Sequence, residues 1–329
     1  DAKTNPLLLV GNGPYLVSSA VTNGAVTMKL NPRYNSGPKT SGIDTVVFKV
    51  IGDGTAAAQA LANKEIDVYA GQPTADSVAQ LKAIPGVDVV GFSQAVYEHV
   101  DLRVGAAAGS KTSYTGPFAG MSQKAVDLRT AFLLAYPRAE IIEKIVKPIN
   151  SKAVLMNSLL TFPAESNYAS VIANNGSSKY TAGTQAERTA KALALVKKYF
   201  PDAAAGSGSV KVKLLWGQPS NARRAAEAAL VKAELAKAGF DVTTTGTSGW
   251  SSFLDDNTFD AQFFAWVKSA ITQKGNTDLF CSDCSNNVKP SRCSNKGLSI
   301  SSLLARVPAG IRSHHVRRDW ECLSACWPW

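Results

Sequence analysis

One stretch constrains the fold more than any other, and it reads VKLLWGQPSNARRAAEAALVKAELAKAGFDV, beginning at Val212. Its first residues alternate apolar and polar side chains, which is typical of a strand, and Gly217 and Pro219 end that strand. A run of strong helix formers follows, and Gly239 occupies the position of a C-terminal cap before a second strand at 240–245. The stretch therefore predicts a strand, a helix and a strand in close succession.

Two arginines in the first turn of that helix are the unusual feature. With Ser220 as the expected N-cap, Arg223 and Arg224 lie where the helix dipole and the unpaired N–H groups favour anions. We therefore expect a negative group to compensate them. In the simpler interpretation Arg223 pairs with Glu227 one turn on and Arg224 lies along the surface. In the alternative, the two guanidinium groups beside a helix N-terminus receive a small carboxylate.

The order of elements elsewhere indicates an α/β protein. Residues 43–104 are expected to alternate strand, helix, strand, helix and strand at short intervals, which favours a largely parallel sheet. A helical unit begins near Ser122 and must be kinked or divided at Pro137. Thr184 and Glu187 form a capping box for a further helix.

Composition limits the function classes. The 329 residues suit two lobes, and 45% hydrophobic with 18% charged residues describes a soluble globular chain without a membrane-spanning run. The net charge of +10 does not indicate nucleic acid, because residues 285–329 alone carry seven Lys and Arg against two acids. The other cations are scattered among acids, so no nucleic-acid partner is expected.

A serine hydrolase is one alternative. The segment around Ser93 reads GFSQA and resembles a nucleophile elbow with Ala in the last position. An elbow needs a helix directly after the serine, whereas a strand is expected there, and His99 is too close in sequence on the same strand. His314 and His315 lie in an atypical tail. This alternative is therefore the weaker one.

Several strings match one family in the right order. They are GNGPY with NPRYN, IDTVVFKVIGD, ALANKEIDV, VDLRTAFLLAYPRAEII, the arginine-bearing helix and GWSSFL. Together they resemble the dipeptide- and oligopeptide-binding class of solute-binding proteins that serve bacterial ABC importers. The resemblance covers roughly residues 11–287.

The resemblance implies a two-lobed α/β fold of the periplasmic-binding-protein type (type II, peptide-binding class) that closes on its ligand by hinge bending. Residues 1–100 would be part of an incomplete first lobe, 101–287 the second lobe, and 288–329 a non-family tail that is disordered or frameshifted. The expected protein is a periplasmic or cell-surface monomer without cofactor or catalysis. Its partners would be a peptide or small-molecule solute and an ABC permease at the membrane.

The resemblance also suggests site residues. Peptide binders carry an arginine in the segment matching 221–224, so Arg223 or Arg224 is expected to hold an anionic group. Trp216 and Trp266 match aromatic positions of the cleft, although core packing would explain them equally well. Such proteins have an aspartate just after the position of Trp266 to hold the ligand amine. Here residues 267–273 contain no acid, and Ser269 and Gln273 offer neutral hydrogen bonds instead.

All five cysteines lie beyond residue 280. Cys281, Cys284 and Cys293, with His314 and His315, have only partial zinc spacing, so no metal is expected. A disulfide involving Cys281 or Cys284 is favoured, since related proteins carry one near this point. A last alternative makes the chain a non-catalytic interaction protein whose basic tail attaches to acidic surfaces.

Overall fold

A computed structural model of the chain describes most of the residues before 268. The described ranges are 11–21, 24–38, 42–71, 74–91, 96–105, 113–158, 161–249, 258–267 and 326–328, with only the backbone described for 266–267 and 326–328. The chain divides into two compact units, unit 1 at Asp1–Gly71 and unit 2 at Gln72–Trp329. The lobe boundaries expected at residues 100 and 287 stay predictions.

Unit 1 contains an antiparallel sheet of three strands in the order β1-β2-β3. The strands are β1 (Tyr15–Ala20), β2 (Ala25–Leu30) and β3 (Thr45–Lys49), followed by helix α1 (Gly54–Ala62). None of the residues in these three strands is fully buried. Helix α1 begins where the Asp53 side chain accepts a hydrogen bond from the amide of Ala56 at 2.8 Å.

Unit 2 is organised around a five-stranded sheet in the order β6-β5-β7-β4-β8. Its strands are β4 (Val96–Leu102), β5 (Val210–Gly217), β6 (Phe240–Thr247), β7 (Ala261–Val267) and β8 (Cys326–Pro328). Strand β5 pairs in parallel with β6 and with β7, whereas β4 runs antiparallel to β7 and to β8. The start of β4 therefore lies at the same edge of the sheet as the ends of β5 and β7.

Unit 2 also contains helices. They are α2 (Ala75–Lys82), α3 (Gln123–Ala135), α4 (Arg138–Ile141), α5 (Tyr168–Asn174), α6 (Gln185–Lys197) and α7 (Ala222–Lys237). A π-helical turn at Ile142–Val146 continues α4, and a 3-10 turn lies at Ser177–Tyr180. The core joins the inward side chains of β4, β5, β6 and β7 to α3, α6 and α7, with Phe132, Phe240 and Phe263 among its fully buried rings.

Several expectations about the elements are confirmed. Helix α3 ends before Pro137, and the chain divides there into α3 and α4. Thr184 and Glu187 form the capping box of α6, and Gly239 has the left-handed φ of +84° that a C-terminal cap requires. The strand, helix and strand of the central stretch are β5, α7 and β6, and the two strands are parallel neighbours.

The parallel sheet expected over residues 43–104 is wrong for the described part of that range. Strand β3 joins an antiparallel sheet, and residues 66–70, expected to form a strand, form none. Val68 in that segment is 81% exposed, so the short apolar run has no sheet to pack into. The parallel pairs occur later in the chain, in unit 2.

Among the described residues, no helix combines the length and the apolar character needed to cross a membrane.

Candidate functional site

The turn between β5 and α7 builds the site. Gln218 in this turn has a left-handed φ of 63°, which is uncommon for a residue other than glycine. The N-cap of α7 is Asn221, whose side chain accepts a hydrogen bond from the amide of Arg224 at 3.2 Å. The prediction of Ser220 as N-cap is therefore wrong by one residue: the extended backbone and the side-chain acceptor of the N-cap both belong to Asn221. The turn carries Arg223 and Arg224 into the first turn of the helix.

Four charged side chains meet at this point, and we call them the arginine cluster: Arg223, Arg224, Glu98 and Glu227. Glu98 lies in β4, and its two oxygens contact different arginines. Oε1 is 2.6 Å from Nε of Arg224, and Oε2 is 2.7 Å from Nη1 of Arg223. The same Nη1 also contacts Oε1 of Glu227. Glu98 thus bridges the two arginines, and Glu227 adds a second carboxylate to one of them.

The cluster meets the need for a compensating anion. Two cations at the N-terminus of a helix are unfavourable beside its dipole, and Glu98 supplies the opposite charge from another strand. The predicted pairing of Arg223 with Glu227 is confirmed. The expected surface position of Arg224 is wrong: this residue is 5% exposed, and its Nη1 donates to the carbonyl oxygen of Gly217 at 3.2 Å.

The protonation properties of the two glutamates differ. Burial raises the pKa of Glu98, but Arg223 and Arg224 outweigh that effect and hold its pKa below the usual value. Burial, and then repulsion by Glu98, raise the pKa of Glu227 to about 8 against the opposing effect of Arg223. Burial works against the charged form of Arg223, yet Glu98 and Glu227 raise its pKa. Near neutral pH the cluster therefore contains two cations, one ionised carboxylate and one largely neutral carboxyl group.

Trp216 lies in β5 beside the cluster. Its ring stacks on Phe263 of β7, with ring centroids 5.8 Å apart and an interplanar angle of 16°. On the other side, Trp216 pairs with Gly246 of β6. This position requires glycine, because a Cβ added at Gly246 would lie 2.8 Å from the indole ring. The residue is 8% exposed, and its indole Nε1 has no hydrogen-bond partner in the described part of the chain. Trp216 thus combines a packed ring with a buried N–H group that makes no hydrogen bond within the described residues.

The other predicted site residues are only partly described. The backbone of Trp266 lies in β7 opposite Tyr97 of β4, two residues beyond Phe264. Ser269 and Gln273 lie outside the described residues, as do Cys281 and Cys284. The structure therefore brings Arg223, Arg224 and Trp216 together and positions the backbone of Trp266 on the same sheet.

Ser93, the nucleophile of the hydrolase alternative, also lies outside the described residues. His99 is fully buried in β4, and its Nε2 lies 3.4 Å from Oδ1 of Asp101 on the same strand. Neither ring nitrogen of His99 makes a hydrogen bond to any part of the chain that the structure describes. The hydrolase alternative therefore stays a prediction.

Sequence reasoning missed Glu98 and Tyr136. Glu98 alternates with Val100 and Leu102 in β4, and an acid on the inward face of a strand needs a cation, so the strand pattern contained a signal. Tyr136 follows α3; burial, Glu227 and Glu98 all raise the pKa of its hydroxyl, which places it in the field of the two glutamates. Its position depends on tertiary packing and has no comparable sequence signal.

Comparison with known proteins gives a consistent result. The family model described as "Bacterial extracellular solute-binding proteins, family 5 Middle" matches residues 1–287. No curated protein matches the chain. Solved structures with similar folds include a periplasmic EDTA-binding protein, EppA, at a TM-score of 0.68 and 20% identity, covering 96% of this chain and 57% of the other.

Two further solved structures cover the whole of this chain. The murein tripeptide binding protein MppA of Escherichia coli has a TM-score of 0.67 and 19% identity, with 60% of its own chain covered. OppA of Burkholderia pseudomallei has a TM-score of 0.67 and 16% identity, also with 60% covered. The present chain thus spans somewhat less than two thirds of the length of these proteins, and at such identities the likeness is one of fold.

Proposed function

Since the chain belongs to the bacterial extracellular solute-binding proteins of family 5, we propose that it captures a peptide or similar small solute for an ABC importer. Acting as a monomer in the periplasm or at the cell surface, it binds the solute in a cleft between two lobes and closes by hinge bending. It then delivers the solute to the permease without catalysing a reaction. The observation that carries the proposal is the family match, which extends over residues 1–287.

The arginine cluster is our proposed anion contact. It lies at the carboxyl ends of β5 and β7, the edge at which open α/β sheets bind their ligands. Of the two arginines, Arg223 has the more exposed side chain, 14% against 6% for Arg224. We therefore assign the direct contact with an anionic group of the solute to Arg223. Arg224, held by Glu98 and Gly217, supports the geometry of the turn.

The remaining contacts follow from the proposed cleft. Trp216 offers an apolar ring and a buried N–H that a solute carbonyl can accept from. Trp266 forms a second apolar wall, and Ser269 and Gln273 contribute neutral hydrogen bonds. The absence of an acid from residues 267–273 favours a solute whose amine is blocked or missing.

Isothermal titration calorimetry and thermal shift test this function together. Di- to pentapeptides, with and without an acetylated N-terminus, are screened against the unaltered chain, against Arg223→Ala and against Trp216→Phe. A bound solute raises the melting temperature in proportion to its saturation of the folded state. We expect Arg223→Ala to weaken binding of a carboxylate-bearing peptide by tenfold or more, on the order expected for a lost charge-assisted bond.

Lys232→Ala is the matched control, because Lys232 is exposed on the same helix and lies outside the cluster. This variant should bind like the unaltered chain. If no solute of the screen raises the melting temperature, the proposed capture by this chain is wrong. If a solute binds equally well to Arg223→Ala, capture stands and the site assignment is overturned.

A further inference from the structure

The arginine cluster holds one feature that solute binding alone does not require, a second carboxylate buried on an arginine that already has one. Glu227 is 0% exposed. Its Oε1 contacts Arg223, and its Oε2 has no hydrogen-bond partner in the part of the chain that the structure describes. A buried carboxylate oxygen without a donor is costly when charged, because nothing replaces the water it has lost.

The geometry places this carboxylate next to another. Oε1 of Glu227 and Oε2 of Glu98 contact the same nitrogen, Nη1 of Arg223, so they lie within about 5–6 Å of each other. Two carboxylates that share one site repel each other, and the less well compensated of the two takes up a proton more readily. Glu98 contacts two guanidinium groups and Glu227 contacts one, so Glu227 is the residue that takes up the proton.

Charged and titratable groups from three elements act on Glu227 or are acted on by it. Glu98 approaches from β4, Tyr136 from the end of α3, and Arg223 and Arg224 from α7 itself. Arg223, and then Arg224, oppose the rise in the pKa of Glu227. With Glu98 ionised, the cluster has a net charge of +1 when Glu227 is neutral and 0 when it is ionised.

This inference rests on the proposed anion contact: we propose that protonation of Glu227 and binding of the solute are linked, so that the cluster offers a net positive charge to an anionic solute only when Glu227 is protonated. The proton adds to Oε2, converting the carboxylate to a carboxylic acid, while Oε1 keeps its bond from Arg223. By linkage, the anion and the proton each strengthen the binding of the other. Solute capture at this site thereby depends on external pH: affinity is constant below the pKa of Glu227 in the free chain, which is raised to about 8, and falls above it.

The test uses two probes that differ only in charge, N-acetyl-dialanine and its C-terminal amide, with affinity measured by calorimetry at about pH 6.5 and about pH 9.5, on either side of the transition. For the acid we expect affinity to fall about tenfold or more at the higher pH. The amide should show no such fall. In Glu227→Gln, the acid should keep its low-pH affinity at both values, because the neutral side chain preserves the contact with Arg223 and cannot ionise.

Glu234→Gln is the matched control. Glu234 is a second buried glutamate of α7, bonded to Thr189 at 2.8 Å and to Lys237, and it lies outside the cluster. This variant should retain the pH-dependent affinity of the unaltered chain. An equal loss of pH dependence in both variants would overturn the assignment to Glu227.

A readout without solute separates this inference from the proposed function. In protein carrying ¹³C-labelled glutamate, one carboxyl resonance should be absent from the spectrum of Glu227→Gln, which assigns it to Glu227. The chemical shift of this resonance should titrate at a pH well above the usual pKa range of glutamate. If that resonance titrates near pH 4, the inference is overturned and solute capture stands. If it titrates high but neither probe binds at either pH, both the anion contact at Arg223 and its proton linkage are overturned.

Discussion

The three-stranded sheet of unit 1 and the five-stranded sheet of unit 2 contain similarly apolar strands but bury them very differently. In β3, Val47 and Phe48 are 57% and 58% exposed, whereas in β5 Leu214 is fully buried. Helices α3, α6 and α7 cover the core face of the larger sheet, and the smaller sheet has no comparable cover among the described elements. An alternating apolar pattern is therefore sufficient to form a strand, whereas a hydrophobic core also requires a second layer of structure packed against the sheet.

The difference also determines where charges can lie. Among the described residues, ion pairs between buried side chains occur in unit 2, where helices cover the sheet. There each arginine of the cluster forms an ion pair with the carboxylate of Glu98. In unit 1 the described charged side chains lie at the surface and interact weakly. The following four predictions test this contrast, from the largest expected effect to the smallest.

Replacement of the most enclosed ring should have the largest effect. Phe132 of α3 is 0% exposed and packs edge-on against Phe118 and Phe240, at centroid distances of 5.3 and 5.8 Å. Phe132→Ala should lower the free energy of unfolding by about 3–5 kcal/mol in urea denaturation, because the cavity cannot collapse. Phe48→Ala in β3 should cost less than about 1 kcal/mol. Equal losses of unfolding free energy in the two variants would show that Phe48 is packed as tightly as Phe132, which would contradict the contrast between the two sheets.

Removing the bridging carboxylate should have the next largest effect. Glu98→Ala leaves two guanidinium groups without their shared anion, so we expect a loss of about 3 kcal/mol in the free energy of unfolding. Glu65→Ala is the control in unit 1, where the exposed Glu65 accepts from Asn63 at 3.2 Å, and it should cost less than about 0.5 kcal/mol. A loss below 1 kcal/mol for Glu98→Ala would mean that water enters the cluster.

The stability of unit 2 should decrease as pH rises from the ordinary pKa of glutamate towards the raised pKa of Glu227. The pKa of Glu227 is raised from its ordinary value to about 8, so the folded chain keeps a proton that the unfolded chain releases. This contribution is complete below the ordinary pKa of glutamate and is lost as pH rises through about 8. We expect a decrease of about 1 kcal/mol per pH unit between about pH 5.5 and 7.5, measured by urea denaturation. Glu227→Gln should lack this slope, and an unchanged slope in that variant would contradict the prediction.

Loss of a helix cap should have the smallest effect. Thr184→Ala removes the hydroxyl that accepts from the amide of Glu187 at 3.2 Å, and it should cost about 1 kcal/mol. The corresponding change in unit 1 is Asp53→Ala at the start of α1. Because α1 belongs to unit 1, we expect faster hydrogen exchange confined to α1 rather than a shift of the main unfolding transition. A shift of that transition by Asp53→Ala would show that α1 unfolds with unit 2.

Much of the local structure could be predicted from the sequence, because it depends on neighbours a few residues apart. The capping box of α6, the division at Pro137 and the glycine cap of α7 follow from such short-range chemistry. Expectations that needed a partner elsewhere were less successful. Residues 66–70 have the composition of a strand but find no sheet, and Arg224 is buried because a strand more than a hundred residues away brings Glu98 to it.

By itself the sequence determined that the chain alternates strands and helices, that two cations open α7, and that these cations require an anion. Only the tertiary structure decided which anion it is. Glu98 and Arg224 are separated by 126 positions and meet because β4 runs antiparallel to β7 at the edge where β5 ends. Helix caps and turns are set by local bonds, whereas the charge balance of a buried cluster is set by pairing between distant segments, which no short window of sequence contains.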